Sequence, residues 1–271
     1  MGKYPIPPSF ALPALWSVLR GQRRSLSADA ARLLAGASPP PQIENPQHIP
    51  PEGPLIVVAN HYCRPGLGVW WSALLISHAV AQRGEVRWVM TSEWIYPDPL
   101  RRWLVTPATR WLFARIARAY GLVSMPPMPP DPRRMHERAR AVRQAVALVA
   151  PGKSRRWEII GLRPEGRESG DGCLIEPPPG VGRFLLLLTR AGMPILPVGV
   201  FEREGVLTAS FGEPFRLAAQ PGLSKGEQDQ RVRDRVMVAI GELLPPRLWG
   251  VYKDRVSLRR RRQPFSPAER R

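Results

Sequence analysis

Short apolar runs alternate with longer stretches of helical periodicity along most of the chain. Five runs rich in apolar and β-branched residues predict strands, at residues 55–60, 86–92, 157–162, 194–201 and 206–215. Helical periodicity predicts helices at 69–80, 98–121, 133–150, 180–192 and 225–243. Strands and helices in this order predict an α/β fold, with a mostly parallel central sheet flanked by helices on both faces.

Two of the helical segments mix apolar and aromatic residues with arginine. LPALWSVL, residues 12–19, is followed directly by arginines, and the longer segment 98–121 alternates tryptophan with arginine around Pro107. The first segment is interpreted either as an interfacial membrane anchor or as a helix packed on the core. The second is one helix, or two interrupted at Pro107, and either a basic membrane-surface helix or a core helix with a solvated basic face.

Composition divides the chain into three parts. Residues 1–36 form an N-terminal helical segment, for which membrane association is one interpretation, and residues 37–250 form the α/β domain. Residues 251–271 lack an apolar period and are basic, so we predict a disordered tail. No run of eighteen apolar residues occurs, so we predict no transmembrane helix.

The net charge of +18 favours a polyanionic partner. An anionic membrane surface, an acidic carrier or cofactor, and nucleic acid all fit, although no helix-turn-helix, zinc or RNA-recognition signature supports the last. The two cysteines, Cys63 and Cys173, lack a CxxC spacing, so we expect neither a disulfide framework nor a zinc site. A reducing cytoplasmic compartment fits this cysteine usage.

Two polar turns follow predicted buried strands. Asn60 and His61 end the first strand, and RPEGRESGDG follows the third, with Glu165 and Arg167 beside Gly166. Ligands of α/β sheets collect at the carboxyl ends of strands, so we expect both turns to face one crevice. Taken alone, a histidine at a strand end is more often structural than catalytic, and it is the position of both turns after buried strands that favours a functional role.

NHYCRPG, RPEGRESGDG and PILPVGVFEREGVLTASFGEPF resemble three of the four sequence blocks of the glycerolipid acyltransferases, the family that includes 1-acyl-sn-glycerol-3-phosphate acyltransferase. The resemblance covers roughly residues 50–215, in the family's order. It implies transfer of an acyl group from acyl-CoA or acyl carrier protein to the hydroxyl of a lysophospholipid or similar acceptor. It further implies a peripheral location on the inner face of the membrane, no cofactor beyond the thioester co-substrate, and no nucleic-acid partner.

The resemblance also assigns roles to residues. His61 matches the family's general base, and an unperturbed imidazole suits removal of a hydroxyl proton near pH 7. The residues that the resemblance places at the substrates are Asn60, Arg163, Glu165, Gly166, Arg167 and Pro197. Arg163 or Arg167 would supply the cation that contacts the acceptor phosphate.

The chain departs from the family pattern in its polar residues. Gly66 stands where the family has the aspartate that orients the histidine, and GLVSMPPMPP lacks the arginine of the second block. Activity is therefore uncertain, and a catalytically impaired lipid- or acyl-binding protein is the alternative. Glu93, Asp98 and Glu165 are candidates to replace the aspartate, of which we favour Glu93. Cys63 is a further candidate, as a covalent nucleophile, although a buried structural thiol is the commoner role.

Overall fold

A computed structural model describes residues 4–149, 158–190 and 192–262. Its strands are β1 (Gln42–Glu44), β2 (Leu55–Ala59), β3 (Val86–Thr91), β4 (Val123–Met125), β5 (Ile159–Leu162), β6 (Ile195–Arg203) and β7 (Val206–Phe211). Its helices are α1 (Pro8–Leu19), α2 (Leu26–Ala35), α3 (Trp70–Ala79), α4 (Pro99–Tyr120), α5 (Met135–Val149), α6 (Val181–Thr189), α7 (Lys225–Gly241) and α8 (Lys253–Arg262). Short 3-10 turns lie at Pro46–His48, Pro132–Arg134, Pro246–Leu248 and Gly250–Tyr252.

The strands form one seven-stranded sheet in the order β1-β7-β6-β2-β5-β3-β4. Every pairing is parallel except β6 with β7. This confirms the predicted α/β fold with a mostly parallel sheet flanked by helices. The central strands β2 and β5 are buried at every position, which explains why their sequences read as unbroken apolar runs. The edge strands β1 and β4 are only three residues long and were not predicted.

Helices α1 and α4 lie against each other and expose their large apolar side chains. Arg115 of α4 donates a hydrogen bond to the carbonyl of Leu19, and α1 buries only Val18. The α4 helix continues through Pro107, so of the two alternatives for this segment the single helix is confirmed. The buried residues of α4 are small, namely Thr106, Thr109, Ala117 and Ala119. We define the α1–α4 face by the exposed side chains Leu12, Leu15, Trp16, Trp103, Leu104 and Trp111.

In the described part of the chain, no helix combines the length and the hydropathy that crossing a bilayer requires. The α1–α2 junction is instead fixed to the end of α4. Arg24 donates two hydrogen bonds to Asp29, at 2.8 and 2.7 Å, and a third to the hydroxyl of Tyr120. The N-terminal helices are therefore attached to the α/β domain by a part-buried ionic network.

The basic C-terminal segment is ordered where it is described. Residues Lys253–Arg262 form α8, so the prediction of a disordered tail is wrong for them. Tyr252 and Val256 are almost fully buried, and a Cβ on Gly241 of α7 would lie 2.6 Å from Cγ2 of Val256. Only these two buried apolar residues stand among many arginines, and two residues do not establish a helical period. The sequence pattern therefore did not predict this helix. Residues 263–271 of the predicted tail, like Trp157 at the start of the third predicted strand, lie outside the described residues.

Candidate active site

Asn60 fixes the point at which the chain leaves the sheet. Its side-chain Nδ2 donates to the carbonyl of Val200 at 2.9 Å, and its Oδ1 accepts from the amide of Val200 at 2.7 Å. The side chain is 1 % exposed and is turned toward β6. Asn60 therefore ties the end of β2 to β6 and presents His61 at the carboxyl edge of the sheet. Its predicted contact with substrate remains a prediction.

Glu165 is the carboxylate that lies beside His61. Its Oε2 accepts a hydrogen bond from the backbone amide of His61 at 2.5 Å, and its Oε1 accepts from the amide of Ile175 at 3.1 Å. The same Oε2 lies 3.9 Å from Nδ1 of the His61 ring. That separation is longer than a hydrogen bond, and the buried Nδ1 has no hydrogen-bond partner in the described residues. The two predicted turns therefore meet, as expected, at one edge.

Burial shifts the pKa of both groups toward their neutral forms. The pKa of His61 is lowered well below its usual value by burial and then by the charge of Arg163. Burial raises the pKa of Glu165 to about 7, against the opposing effects of the two backbone amides and Arg163. The imidazole is therefore neutral at neutral pH, which is the form that can accept a proton.

Glu93, which we favoured from the sequence as the partner of His61, forms ion pairs with other residues. It is 3 % exposed, and its two carboxylate oxygens pair separately with Arg110 of α4 and with Arg134 before α5. Asp98 caps α4 by accepting a hydrogen bond from the amide of Arg101. The structure thus contradicts the selection of Glu93, because both of its oxygens are engaged by guanidinium groups.

Arg163 holds the backbone around His61 in place through hydrogen bonds. Its guanidinium donates to the carbonyl of Val69 at 3.0 Å, to the hydroxyl of Ser72 at 2.6 Å and to the carbonyl of Asn60 at 3.4 Å. It also lies 5.3 Å from the ring centre of Trp88. Burial lowers its pKa to about 10. Arg163 therefore connects β5 to the start of α3 and has little capacity left for a substrate phosphate.

The remaining predicted substrate residues lie in different environments. Gly166 is exposed at a φ of +66°, and its amide donates to the carbonyl of Arg163 in a tight turn. Arg167 is exposed, with no hydrogen bond or ion pair to any residue that the structure describes. Pro197 is buried within β6, beside Val58 of β2. Of the two arginines considered for acceptor phosphate, Arg167 is the accessible one.

Cys63 is a poor nucleophile in this position. It is 8 % exposed, and burial, followed by the nearby Glu168, raises its pKa to about 11. The reactive form of cysteine is the thiolate, and a thiol with this pKa is protonated at neutral pH. The geometry therefore favours the structural interpretation of Cys63 over a covalent route.

The loop after His61 is held by an ion pair that sequence reasoning missed. Arg64 donates two hydrogen bonds of 2.5 Å to the carboxylate of Glu202, at the end of β6, and Tyr62 donates to the same carboxylate. Arg64 and Glu202 are far apart in sequence, so only the pairing of β2 with β6 reveals their contact. This ion pair fixes a loop that carries no aspartate.

Gly66 occupies a turn that suits glycine. Residues 64–67 form a β-turn in which the amide of Leu67 donates to the carbonyl of Arg64 at 2.9 Å. Pro65 precedes Gly66, whose φ is +82°, the arrangement of a type II turn. A Cβ on Gly66 would lie 3.6 Å from Nη1 of Arg64 and meet no other neighbour within 4 Å. An aspartate at this position would therefore contact Arg64 before His61.

We expect Gly66→Asp to lower the free energy of unfolding by about 1 kcal/mol, because side chains disfavour positive φ. We expect no gain in activity, because Arg64 would attract the new carboxylate away from the His61 ring. Urea unfolding and turnover assays measure the two effects. Gly66→Asn is the control, since it carries the same backbone cost without the charge. Higher turnover in the aspartate variant alone would contradict this account of the loop.

Comparison with known proteins identifies the class of this chain. A family model described as acyltransferase matches residues 40–201, which is more than half of the chain. The chain therefore belongs to the acyltransferase family, and the resemblance drawn from the sequence blocks is confirmed at that level. No curated protein matches the chain significantly. Within the described residues, no group of histidine, cysteine or acidic side chains is arranged to hold a metal ion.

One similar solved structure is the 1-acyl-sn-glycerophosphate (LPA) acyltransferase PlsC from Thermotoga maritima. It is 18 % identical to this chain, with a TM-score of 0.44, and the match covers 86 % of this chain and 82 % of that one.

Proposed function

We propose that the protein is a glycerolipid acyltransferase that moves an acyl chain from a thioester to the hydroxyl of a lysophospholipid or similar acceptor. The observation that carries the proposal is the placement of a neutral His61 beside the buried Glu165 at the carboxyl edge of the sheet, with Nδ1 of His61 3.9 Å from Oε2 of Glu165. Family membership supports the reaction class, and acyl-CoA or acyl carrier protein would be the donor.

The geometry supports a role for each group in this reaction. Nδ1 of His61 is buried beside Glu165, so Nε2 is the ring nitrogen that is available to a substrate. Nε2 takes the proton of the acceptor hydroxyl as its oxygen attacks the thioester carbonyl. The C–O bond forms, the C–S bond of the tetrahedral intermediate breaks, and the imidazolium returns the proton to the departing thiolate. An ionised Glu165 stabilises that imidazolium.

The reaction is tested by incubating the full-length protein with acyl-CoA and a panel of lysophospholipids, and by measuring release of the free thiol. Acceptor-dependent thiol release supports the proposal. No release with any acceptor or with acyl carrier protein as donor would overturn it.

A second function, lipid or acyl binding without turnover, is favoured by one observation. No carboxylate within the described ranges is hydrogen-bonded to the ring of His61, where the family pattern places an orienting aspartate. In a serine protease, replacing the orienting aspartate by asparagine lowers the rate by about 10⁴. Measurable turnover by the unaltered protein would exclude this alternative.

The proposed acceptor is a lipid, and we propose that the protein reaches it by lying on an anionic membrane at the α1–α4 face. Trp16 is 56 % exposed and Trp103 is 74 % exposed, which is unusual for side chains of their size. Arginines surround them, and Arg20 and Arg115 stack on Trp16 and Trp111. Aromatic groups flanked by cations favour the interface of a membrane that carries negative lipids.

We expect the double substitution Trp16→Ser and Trp103→Ser to weaken binding to vesicles containing anionic phospholipid by about 10-fold or more. Partial burial of two such side chains is worth roughly 2 kcal/mol. Vesicle co-sedimentation measures the effect. Val251→Ser is the control, because Val251 is 68 % exposed but lies beside α8, outside the α1–α4 face. Equal losses in both variants, or binding to nucleic acid in preference to vesicles, would contradict the assignment.

A further inference from the structure

Glu202 binds the segment that follows His61. Nε of Arg64 donates to Oε2 of Glu202 and Nη2 donates to Oε1, so one guanidinium binds both carboxylate oxygens. The hydroxyl of Tyr62 donates to the same Oε2 at 3.2 Å. Both charged side chains are largely buried, and hydrogen bonds between ionised groups are the stronger kind. A single carboxylate therefore holds the first and the third residue after His61.

The residue before His61 is fixed to the same strand. Asn60 exchanges two hydrogen bonds with the backbone of Val200, which lies two residues before Glu202 in β6. The amide of His61 itself donates to Glu165. His61 therefore lies between two residues that are each bound to β6, and this arrangement restricts the movement of its backbone.

Glu202 is itself held firmly. It is paired with Leu207 of β7 within the antiparallel part of the sheet, and Arg247 donates to its carbonyl at 2.6 Å. Its carboxylate thus projects from a strand of the sheet and not from a loop. Groups built on strands hold a site more precisely than groups built on loops.

Tyr62 also contacts the loop that carries Glu165. A Cβ on Gly172 would lie 3.0 Å from the Tyr62 ring, so the backbone of this loop packs closely against the ring. A shift of Tyr62 would therefore disturb the surroundings of Glu165 as well as those of His61.

We propose that Glu202 is a positioning residue for His61, and that it acts through Arg64 and Tyr62 on the backbone of the His61 loop. The inference rests on the proposed function, in which His61 is the general base. Gly66 leaves this loop without the aspartate of the family pattern, and a carboxylate on the neighbouring strand stabilises the loop instead. A displacement of about 1 Å in a reacting group can lower a rate by about 100-fold.

The kinetic test is Glu202→Gln, which removes the charge and keeps one acceptor oxygen for Arg64. We expect kcat to fall by about 10-fold, with the KM of donor and acceptor changed by less than about 2-fold, because Glu202 positions the base and binds no substrate. Glu44→Gln is the matched control, because Glu44 pairs with Arg203, the next residue of β6. We expect its kinetics to equal those of the unaltered protein. An unchanged kcat in Glu202→Gln, or an effect on KM alone, would overturn the inference.

Two milder variants serve if Glu202→Gln does not fold. Arg64→Lys keeps the charge but loses the two-pronged contact, and Tyr62→Phe removes one hydrogen bond. We expect each to lower kcat by about 3-fold, because each weakens the hold of Glu202 without abolishing it. Full kcat in both folded variants would count against a positioning role. Thermal unfolding sets an assay temperature at which every variant is folded.

Hydrogen exchange tests the inference without any acyl transfer. NMR compares exchange of the His61 amide with that of Val58, which is buried in β2. In Glu202→Gln, or in Tyr62→Phe if the former does not fold, we expect exchange to be about 10-fold faster at His61 and unchanged at Val58, because only the loop is loosened. That result supports the positioning role even if no acyl transfer is found. Unchanged exchange at His61, equal acceleration at Val58, or the same effect in Glu44→Gln would overturn it.

Discussion

Replacing His61 by alanine is expected to lower kcat/KM for acyl transfer by about 10²- to 10⁴-fold, the contribution of a positioned general base. The neutral imidazole is the group at the carboxyl edge that can take the proton of an acceptor hydroxyl, and alanine removes it. We expect little change in stability, because the buried Nδ1 of His61 has no hydrogen-bond partner among the described residues. Initial rates at several acceptor concentrations and thermal unfolding measure the two expectations.

His78→Ala is the matched control for that substitution. His78 is exposed on α3, the helix that follows the His61 loop, so its loss removes a histidine without altering the crevice. We expect its kinetics to equal those of the unaltered protein. Activity that survives in His61→Ala, at more than half of the original kcat/KM, would refute the general-base role of His61.

Replacing Glu165 by glutamine is expected to lower activity by about 10-fold or more and to change its dependence on pH. In the proposed mechanism the carboxylate stabilises the imidazolium that forms during proton transfer, and the pKa of Glu165 is about 7. The pKa of His61 lies well below its usual value, so His61 stays neutral over the same range. The rate of the unaltered protein should therefore rise as pH increases through about 7, and the glutamine variant should lose this rise.

The same carboxyl group should affect stability with a definite sign. Its folded pKa of about 7 lies above the ordinary value of 4.5, so the folded state binds the proton more tightly than the unfolded state. Its contribution to stability is complete below about pH 4.5 and is lost as pH rises through about 7. Urea unfolding across this range should show that loss in the unaltered protein and not in Glu165→Gln.

Glutamine also carries a cost at every pH. Both carboxylate oxygens accept backbone amides, so one end of the glutamine amide would oppose a donor, at roughly 1–3 kcal/mol. Glu168→Gln, in the same loop and exposed, is the control and should show neither effect. A pH–rate profile that is identical in the unaltered protein and in Glu165→Gln would remove Glu165 from the mechanism.

The sequence predicted the centre of the site better than its surroundings. The buried strands are recognisable in the sequence as apolar runs. The rule that the carboxyl ends of parallel strands lie at one edge of the sheet correctly predicted that the turns of His61 and Glu165 meet. Glu93 follows a strand in the same manner, but its partners Arg110 and Arg134 are distant in sequence and engage both of its oxygens. A strand-end carboxylate alone does not reveal which cation will pair with it.

Long-range polar contacts explain the other differences. The Arg64–Glu202 pair depends on the register of β2 against β6, which a single sequence does not specify. Helix α8 depends on the burial of Tyr252 and Val256 against neighbouring segments, which outweighs its polar composition.

The most direct test of acyl transfer follows the acyl group itself. The full-length protein is incubated with acyl-CoA labelled in the acyl chain and with a lysophospholipid in anionic vesicles, and mass spectrometry counts the new ester against the free coenzyme A. We predict one labelled ester for each coenzyme A released, and no release when the acceptor is omitted. Coenzyme A released without a matching ester, or no release under any condition, would contradict the proposal that this chain is an acyltransferase acting through His61.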